Sequence, residues 1–230
     1  MGTACVISIA RNACLDAATA DYVEFTDDDQ IAAEGWLLAL FARARETGAD
    51  VTLGPVQAVY GEATPRWLRV GDFHSNNPVW VNGKILTGYT GNVLMRRASP
   101  ALQSLRFRLD LGVSGGEDTD YFARAVKAGA VIAYAEDAMM FEGVPPARSS
   151  LRWLVKRRFR YGQTHAMLLL EQNKPRGPHI ILALMKMTAC YAMVLLTCLF
   201  PLKRTTWLLR GTLHLGAASY LWHHAAPVTA

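Results

Sequence analysis

Residues 22–30 read Tyr-Val-Glu-Phe-Thr-Asp-Asp-Asp-Gln, and their order carries the main structural signal of the chain. An aromatic and β-branched run predicts a buried strand over Tyr22–Thr26. The three acids Asp27, Asp28 and Asp29 fall where that strand would stop. In open α/β sheets, ligands bind beyond the carboxyl ends of strands, so the position suits a site. A second acidic stretch lies downstream, Gly115-Gly-Glu-Asp-Thr-Asp-Tyr-Phe over residues 115–122. It opens an apolar pattern of helical period, with Glu117, Asp118 and Asp120 in the first turn. Oxygen ligands of this kind suit hard divalent cations, and magnesium keeps waters and shares substrate phosphates.

Working outward, residues 11–20 predict a short alanine-rich helix. A second helix is expected from about Ile31 to Thr47, with Trp36, Leu37, Leu40, Phe41 and Ala44 at helical spacing and Gly48 as its cap. Asp50–Tyr60 reads as a strand interrupted at Gly54-Pro55. Asn82-Gly83 between apolar runs predicts a hairpin. Asn92–Arg96 reads as a strand and Ser99-Pro100 as a helix start. A helix is expected over Glu117–Ala128, ended by Gly129, then a strand over Val131–Ala135.

Beyond Ser149 the character changes. Leu151–Gln172 predicts a basic amphipathic helix, of the kind that lies on a membrane surface. Between Arg148 and Arg176 stand eight basic residues against one acid, Glu171, within a net charge of +5. Lys174-Pro-Arg-Gly-Pro then breaks the chain. Ile180–Leu202 is apolar enough to cross a bilayer, and Thr205–Trp222 forms a second, more polar apolar segment. The expected domains are therefore 1–148 catalytic, 149–176 interfacial helix and linker, and 177–230 membrane helices with one or two spans. The basic block could meet nucleic acid, lipid headgroups or pyrophosphate, and the apolar segments after it favour membrane lipids over nucleic acid. The positive-inside rule places the acidic clusters in the cytoplasm.

An apolar content of 51% with 19% charged residues excludes a disordered chain. Cys5, Cys14, Cys190 and Cys198 lack metal spacing and fit a reducing compartment. The N-terminus has neither a basic leader nor an apolar core long enough for a signal peptide.

Taken together, Ala10-Arg-Asn-Ala, Phe25-Thr-Asp-Asp-Asp, Trp36-Leu, Gly54-Pro, Thr90-Gly-Asn and Gly115-Gly-Glu-Asp-Thr-Asp-Tyr-Phe resemble the family 2 glycosyltransferases, particularly the membrane-associated bacterial enzymes of exopolysaccharide assembly. The resemblance implies an α/β fold of the GT-A (nucleotide-diphospho-sugar transferase) type with a mixed sheet. It implies inverting transfer of a sugar from a nucleotide-diphospho-sugar donor to a saccharide or lipid-linked acceptor, at the cytoplasmic face of the inner membrane. Asp27, Asp28 and Asp29 match the Asp-x-Asp motif, with Asp27 and Asp29 the ligands of Mg²⁺ or Mn²⁺ on the donor diphosphate. Asp118 matches the general base. Glu117 and Trp36 would hold the acceptor, and Arg160 the donor pyrophosphate, by a loose match to a Gln-x-x-Arg-Trp signature.

The same residues have plainer readings. Three aspartates can be a solvated turn, Glu117 and Asp118 can simply complement a helix dipole, and Asp120 reads that way more readily than as chemistry. Trp36 can be core, and the basic run over Lys156–Arg160 can be a headgroup contact. The family pattern also begins with a βαβ unit that grips the donor base. Such a unit takes about 30 residues or more, and nine precede Ala10. The expectation is a partial, N-terminally truncated transferase domain. The alternative is an inactive remnant that only binds membrane or a partner, and a metal-dependent phosphoryl transferase ranks below both.

Overall fold

The computed structural model describes residues 5–112, 115–172 and 175–224. Lys174, expected within the basic block, lies outside the described residues. The chain divides into two compact units, Met1–Gly61 with His74–Val144, and Glu62–Phe73 with Pro145–Ala230.

The first unit begins with α1 (Cys5–Ala17), β1 (Tyr22–Thr26), β2 (Gln30–Ala32), α2 (Trp36–Thr47), β3 (Val51–Leu53) and β4 (Val56–Tyr60). After the excursion into the second unit come β5 (Trp80–Val81), β6 (Lys84–Ile85), β7 (Asn92–Arg96), α4 (Glu117–Lys127), β8 (Ile132–Tyr134) and β9 (Met140–Val144). One sheet has the order β1-β7-β3-β8, antiparallel except where β3 runs parallel to β8. A second has the order β2-β9-β4, with β4 and β9 parallel. Both sheets are mixed, as expected.

Alternation along the strands decides the two faces of the larger sheet. Val51, Leu53, Val93 and Met95 pack with Phe107, Tyr121, Phe122 and Ala125 on the α4 side. Leu94 faces the other way, toward Leu40 and Ala44 of α2. Phe107 stacks on Tyr121 with ring centroids 4.2 Å apart, and Phe25 of β1 meets Phe107 edge-on at 6.0 Å.

The chain changes sheet at Gly54-Pro55, where the sequence predicted an interruption. Buried Asn92 secures the crossing, its Nδ2 donating to the carbonyls of Pro55 at 2.9 Å and Ala138 at 2.7 Å. A Cβ at Gly54 would sit 2.4 Å from that same nitrogen, so the approach requires glycine.

Four expectations shift. α1 runs over Cys5–Ala17, earlier than the helix expected over residues 11–20. Ile31 belongs to β2, because residues 30–32 pair with Met140–Glu142, so α2 starts only at Trp36. Ser99 accepts backbone bonds from Leu102 and Gln103, but the chain makes turns there and no helix. The first apolar span ends at Leu196, and Pro201 opens the next helix. The hairpin at Asn82-Gly83 is present, with φ of 50° and 75°.

The second unit comprises α3 (Arg66–Gly71), a short 3₁₀ turn, α5 (Leu151–Glu171), α6 (Arg176–Leu196) and α7 (Pro201–His223). α7 packs against both α5 and α6. Gly162 and Gly216 bring α5 and α7 into backbone contact. A Cβ at Gly162 would lie 1.9 Å from the Leu213 carbonyl, and one at Gly216 would lie 2.1 Å from that of Phe159. Of the described helices, α6 is long and apolar enough to cross a membrane by length and composition, with mean hydropathy 1.8. Cys14, Cys190 and Cys198 are free thiols.

Candidate active site

Asp27–Asp29 form the tight turn between β1 and β2, the point where the chain leaves one sheet for the other. Gln30 holds that turn. Its backbone N–H donates to the Asp27 carbonyl at 3.2 Å, and its Oε1 accepts from the Thr26 hydroxyl at 2.8 Å and the Asp27 N–H at 3.2 Å. Gly91 lies beneath, where a Cβ would come within 3.2 Å of Asp27 Oδ2. Asp28 and Asp29 are exposed and Asp27 half-buried.

The second cluster is placed by Gly115 and Gly116, whose φ of 77° and 96° turn the chain into α4. A side chain would strain both positions. Glu117 and Asp118 therefore stand at the helix start, where the dipole favours negative charge. Glu117 is 8% exposed. Asp118 is half-buried, and its Oδ1 accepts from the Thr119 N–H at 2.6 Å. Burial, reinforced by the Glu117 charge, pushes the Asp118 carboxyl from 3.8 up to about 6. The Thr119 bond and Arg11 act in the opposite direction.

Arg11 is the residue that sequence reading left without a role. It projects from α1 with its side chain 11% exposed, and its Nη1 donates to Glu117 Oε1 at 2.7 Å. Its Nη2 lies 4.0 Å from Asp27 Oδ1. One guanidinium therefore touches both acidic clusters, although Arg11 and Glu117 are 106 positions apart in sequence. The adjacent Asn12 fixes this geometry by exchanging hydrogen bonds with the Phe107 backbone at 2.8 and 2.9 Å. The signal available in the sequence was the one basic residue within an alanine-rich helix.

The other candidates sort differently. Asp120 is fully buried and held by Arg124 at 2.8 Å and Arg108 at 3.5 Å, which makes it an ion-pair anchor of α4. Trp36 packs half-buried against the Leu40, Ala44 and Leu94 cluster. Arg160 is exposed on α5, in the second unit.

Among the described residues no three His, Cys, Asp or Glu side chains form a metal-binding group. An open aspartate turn without a cage still fits one kind of cation, a hard one that takes its remaining ligands from water and phosphate.

A mixed α/β domain with an aspartate turn at a strand end and a desolvated carboxyl facing it through one arginine has the build of a GT-A-type transferase. The pattern that defines "Glycosyl transferase family 2" matches residues 7–100. Over 217 residues the chain is 48% identical to the succinoglycan biosynthesis protein ExoM of Rhizobium meliloti (strain 1021), covering 94% of this chain and 70% of that protein. The solved mannosyltransferase PcManGT from Pyrobaculum calidifontis, in complex with GDP-Man and Mn²⁺, shares the fold at 19% identity. Its TM-score is 0.53, over 95% of this chain and 67% of that one. The chain belongs to glycosyl transferase family 2.

Proposed function

We propose that the chain transfers a sugar, with inversion, from a nucleotide-diphospho-sugar to a saccharide or lipid-linked acceptor in cell-surface polysaccharide synthesis, at the cytoplasmic face of the membrane. Kinship with a succinoglycan biosynthesis protein supports the setting and does not favour the non-enzymatic alternative. The observation that carries the reading is Arg11, which joins the Asp27 turn and the Glu117-Asp118 pair in one site.

In this reading the aspartate turn is the donor end. Asp27 and Asp29 would hold Mg²⁺ or Mn²⁺, which would screen charge on the donor diphosphate. Asp118 is the acceptor end. A carboxyl with a pKa near 6 is ionised at neutral pH yet basic enough to take the proton from an attacking hydroxyl. The hydroxyl oxygen bonds to the anomeric carbon, the bond to the diphosphate breaks, and the nucleotide leaves with that electron pair. Attack from the face opposite the leaving group inverts the anomeric centre. Glu117, held by Arg11, borders the acceptor and keeps the Asp118 carboxyl in a desolvated, negative setting.

The test is product stereochemistry, followed by Asp118→Asn. Incubation with a nucleotide sugar of defined anomeric configuration should give the opposite configuration in the product, read by proton NMR. Retained configuration, or full activity in Asp118→Asn, would overturn the assignment.

A further inference from the structure

The helical unit raises the question of how an apolar helix as exposed as α6 meets a membrane. Of its apolar window, only 11% is buried. Ile181, Met185, Thr188, Ala192 and Leu195 are all exposed and recur at spacings of four, three, four and three, which is one helix face. Leu196, Leu199 and Phe200 extend that surface past the helix end, with Leu199 85% exposed. The face is apolar but for Thr188.

The packing of the unit opposes a crossing. α6 and α7 are antiparallel, since Tyr191 meets Gly211 and Ile180 packs on the cluster that contains Ala217 and Leu221. α5 and α7 are parallel, since Gly162 abuts Leu213 and Ala217, and Ala166 packs with Ala217 and Leu221. The start of α5, with Arg157, Arg158 and Arg160, therefore stands level with the middle of α6. Exposed Lys186 and Arg210 stand in the same zone. A bilayer crossed by α6 would enclose these cations in its hydrocarbon core, where each is costly.

The charge pattern instead fits a surface. From residue 176 to 223 there are five basic residues (Arg176, Lys186, Lys203, Arg204, Arg210) and no acid. Lys186 follows Met185, the residue at the edge of that face, by one position, a step of about 100° around the helix. Such a flanking position lets a lysine reach headgroups while the apolar face is buried.

We propose that α6 lies in the plane of an anionic lipid leaflet, with its Ile181–Leu195 face in the headgroup–acyl boundary and its flanking cations on lipid phosphates, without crossing the bilayer. The inference rests on the reading that the protein works at a membrane. A helix of this kind buries its apolar face only about 5–10 Å deep, and anionic lipid strengthens the attachment through each nearby cation.

The experiment uses the full chain and sealed vesicles of phosphatidylglycerol and phosphatidylcholine, or of phosphatidylcholine alone. Flotation should occur with the anionic vesicles, weaken in high salt, and be lost in Leu195→Asp/Leu196→Asp. Both leucines are about three-quarters exposed, so their substitution leaves the core intact. A single thiol, Arg204→Cys with the native cysteines replaced by alanine, then reports topology against a variant retaining only Cys14. Labelling of both by an impermeant maleimide in intact vesicles is the expected result. Labelling of Arg204→Cys only after lysis would show a crossing and overturn the in-plane placement while sparing the membrane reading. Absence of flotation from all vesicles would overturn both.

Discussion

The two acidic clusters contain the same chemistry in opposite surroundings. Asp28 and Asp29 stand in solvent on a tight turn, whereas Glu117 is buried and Asp118 half-buried at a helix start. On the proposed reading, the difference lets one functional group serve two tasks. Carboxylates that share a cation with a diphosphate need charge and access. A carboxylate that must accept a proton needs an environment that makes the charge uncomfortable, and burial beside Glu117 supplies it. Arg11 stands between the two and touches both.

The largest expected effects test whether the clusters are functionally separate. Asp118→Asn should lower kcat by on the order of 10²- to 10⁴-fold, the range for a lost general base. Donor binding measured by calorimetry with Mn²⁺ should persist. Asp29→Asn should do the reverse and weaken donor binding itself. Equal loss of donor binding in both variants would break the division.

Next comes the link between them. Arg11→Leu leaves the Glu117 charge buried without its partner, which typically costs about 3–5 kcal/mol. A marked drop in Tm should follow, and Glu117→Gln in the same chain should restore most of it, since the uncompensated charge is then gone. Failure of that rescue would mean that Arg11 matters for some reason other than its ion pair.

How much of this was legible beforehand follows from the range of the interactions. β1, the Gly54-Pro55 break, the Asn82-Gly83 hairpin and α4 rest on local spacing and turn chemistry, and all were readable. The start of α2 was not, because β2 forms only by pairing with β9, over 100 residues away. The site divided in the same way. Its carboxylates announced themselves as clusters. Arg11 did not, since its meaning depends on a partner 106 residues distant. Asp120 shows the converse: it stands two positions from the candidate base in sequence, and only the structure reveals Arg108 and Arg124 clamping it.

A third carboxyl sharpens the contrast through stability. Glu24 of β1 points away from Phe25 and the α4-side core, its Oε1 is buried without a hydrogen-bond partner, and burial pushes its pKa from 4.5 up to about 7. The folded protein then holds a proton that the unfolded chain releases above 4.5. Stability therefore declines as pH rises from about 4.5 to 7 and stays at that lower level above it. Glu24→Gln should be nearly neutral at pH 4.5 and stabilising by at most about 3 kcal/mol at pH 8, read as a Tm gain that grows with pH. A gain independent of pH would place the effect in packing instead.

The smallest effect is the most specific. If Asp118 is the base, kcat/KM should fall tenfold per pH unit below about 6, as the free enzyme's carboxyl takes up a proton. Burial is the larger cause of that raised pKa, and the Glu117 charge is the second. Glu117→Gln removes only the second, so the acid limb should move to lower pH by a minor part of the whole displacement. Arg11→Leu in the Glu117→Gln background should move it back up, because a cation that favours the ionised form is lost. The signs are opposite and the two substitutions flank the same carboxyl. A limb that stayed fixed in both would belong to a different group, and the base would have to be sought outside the α4 turn.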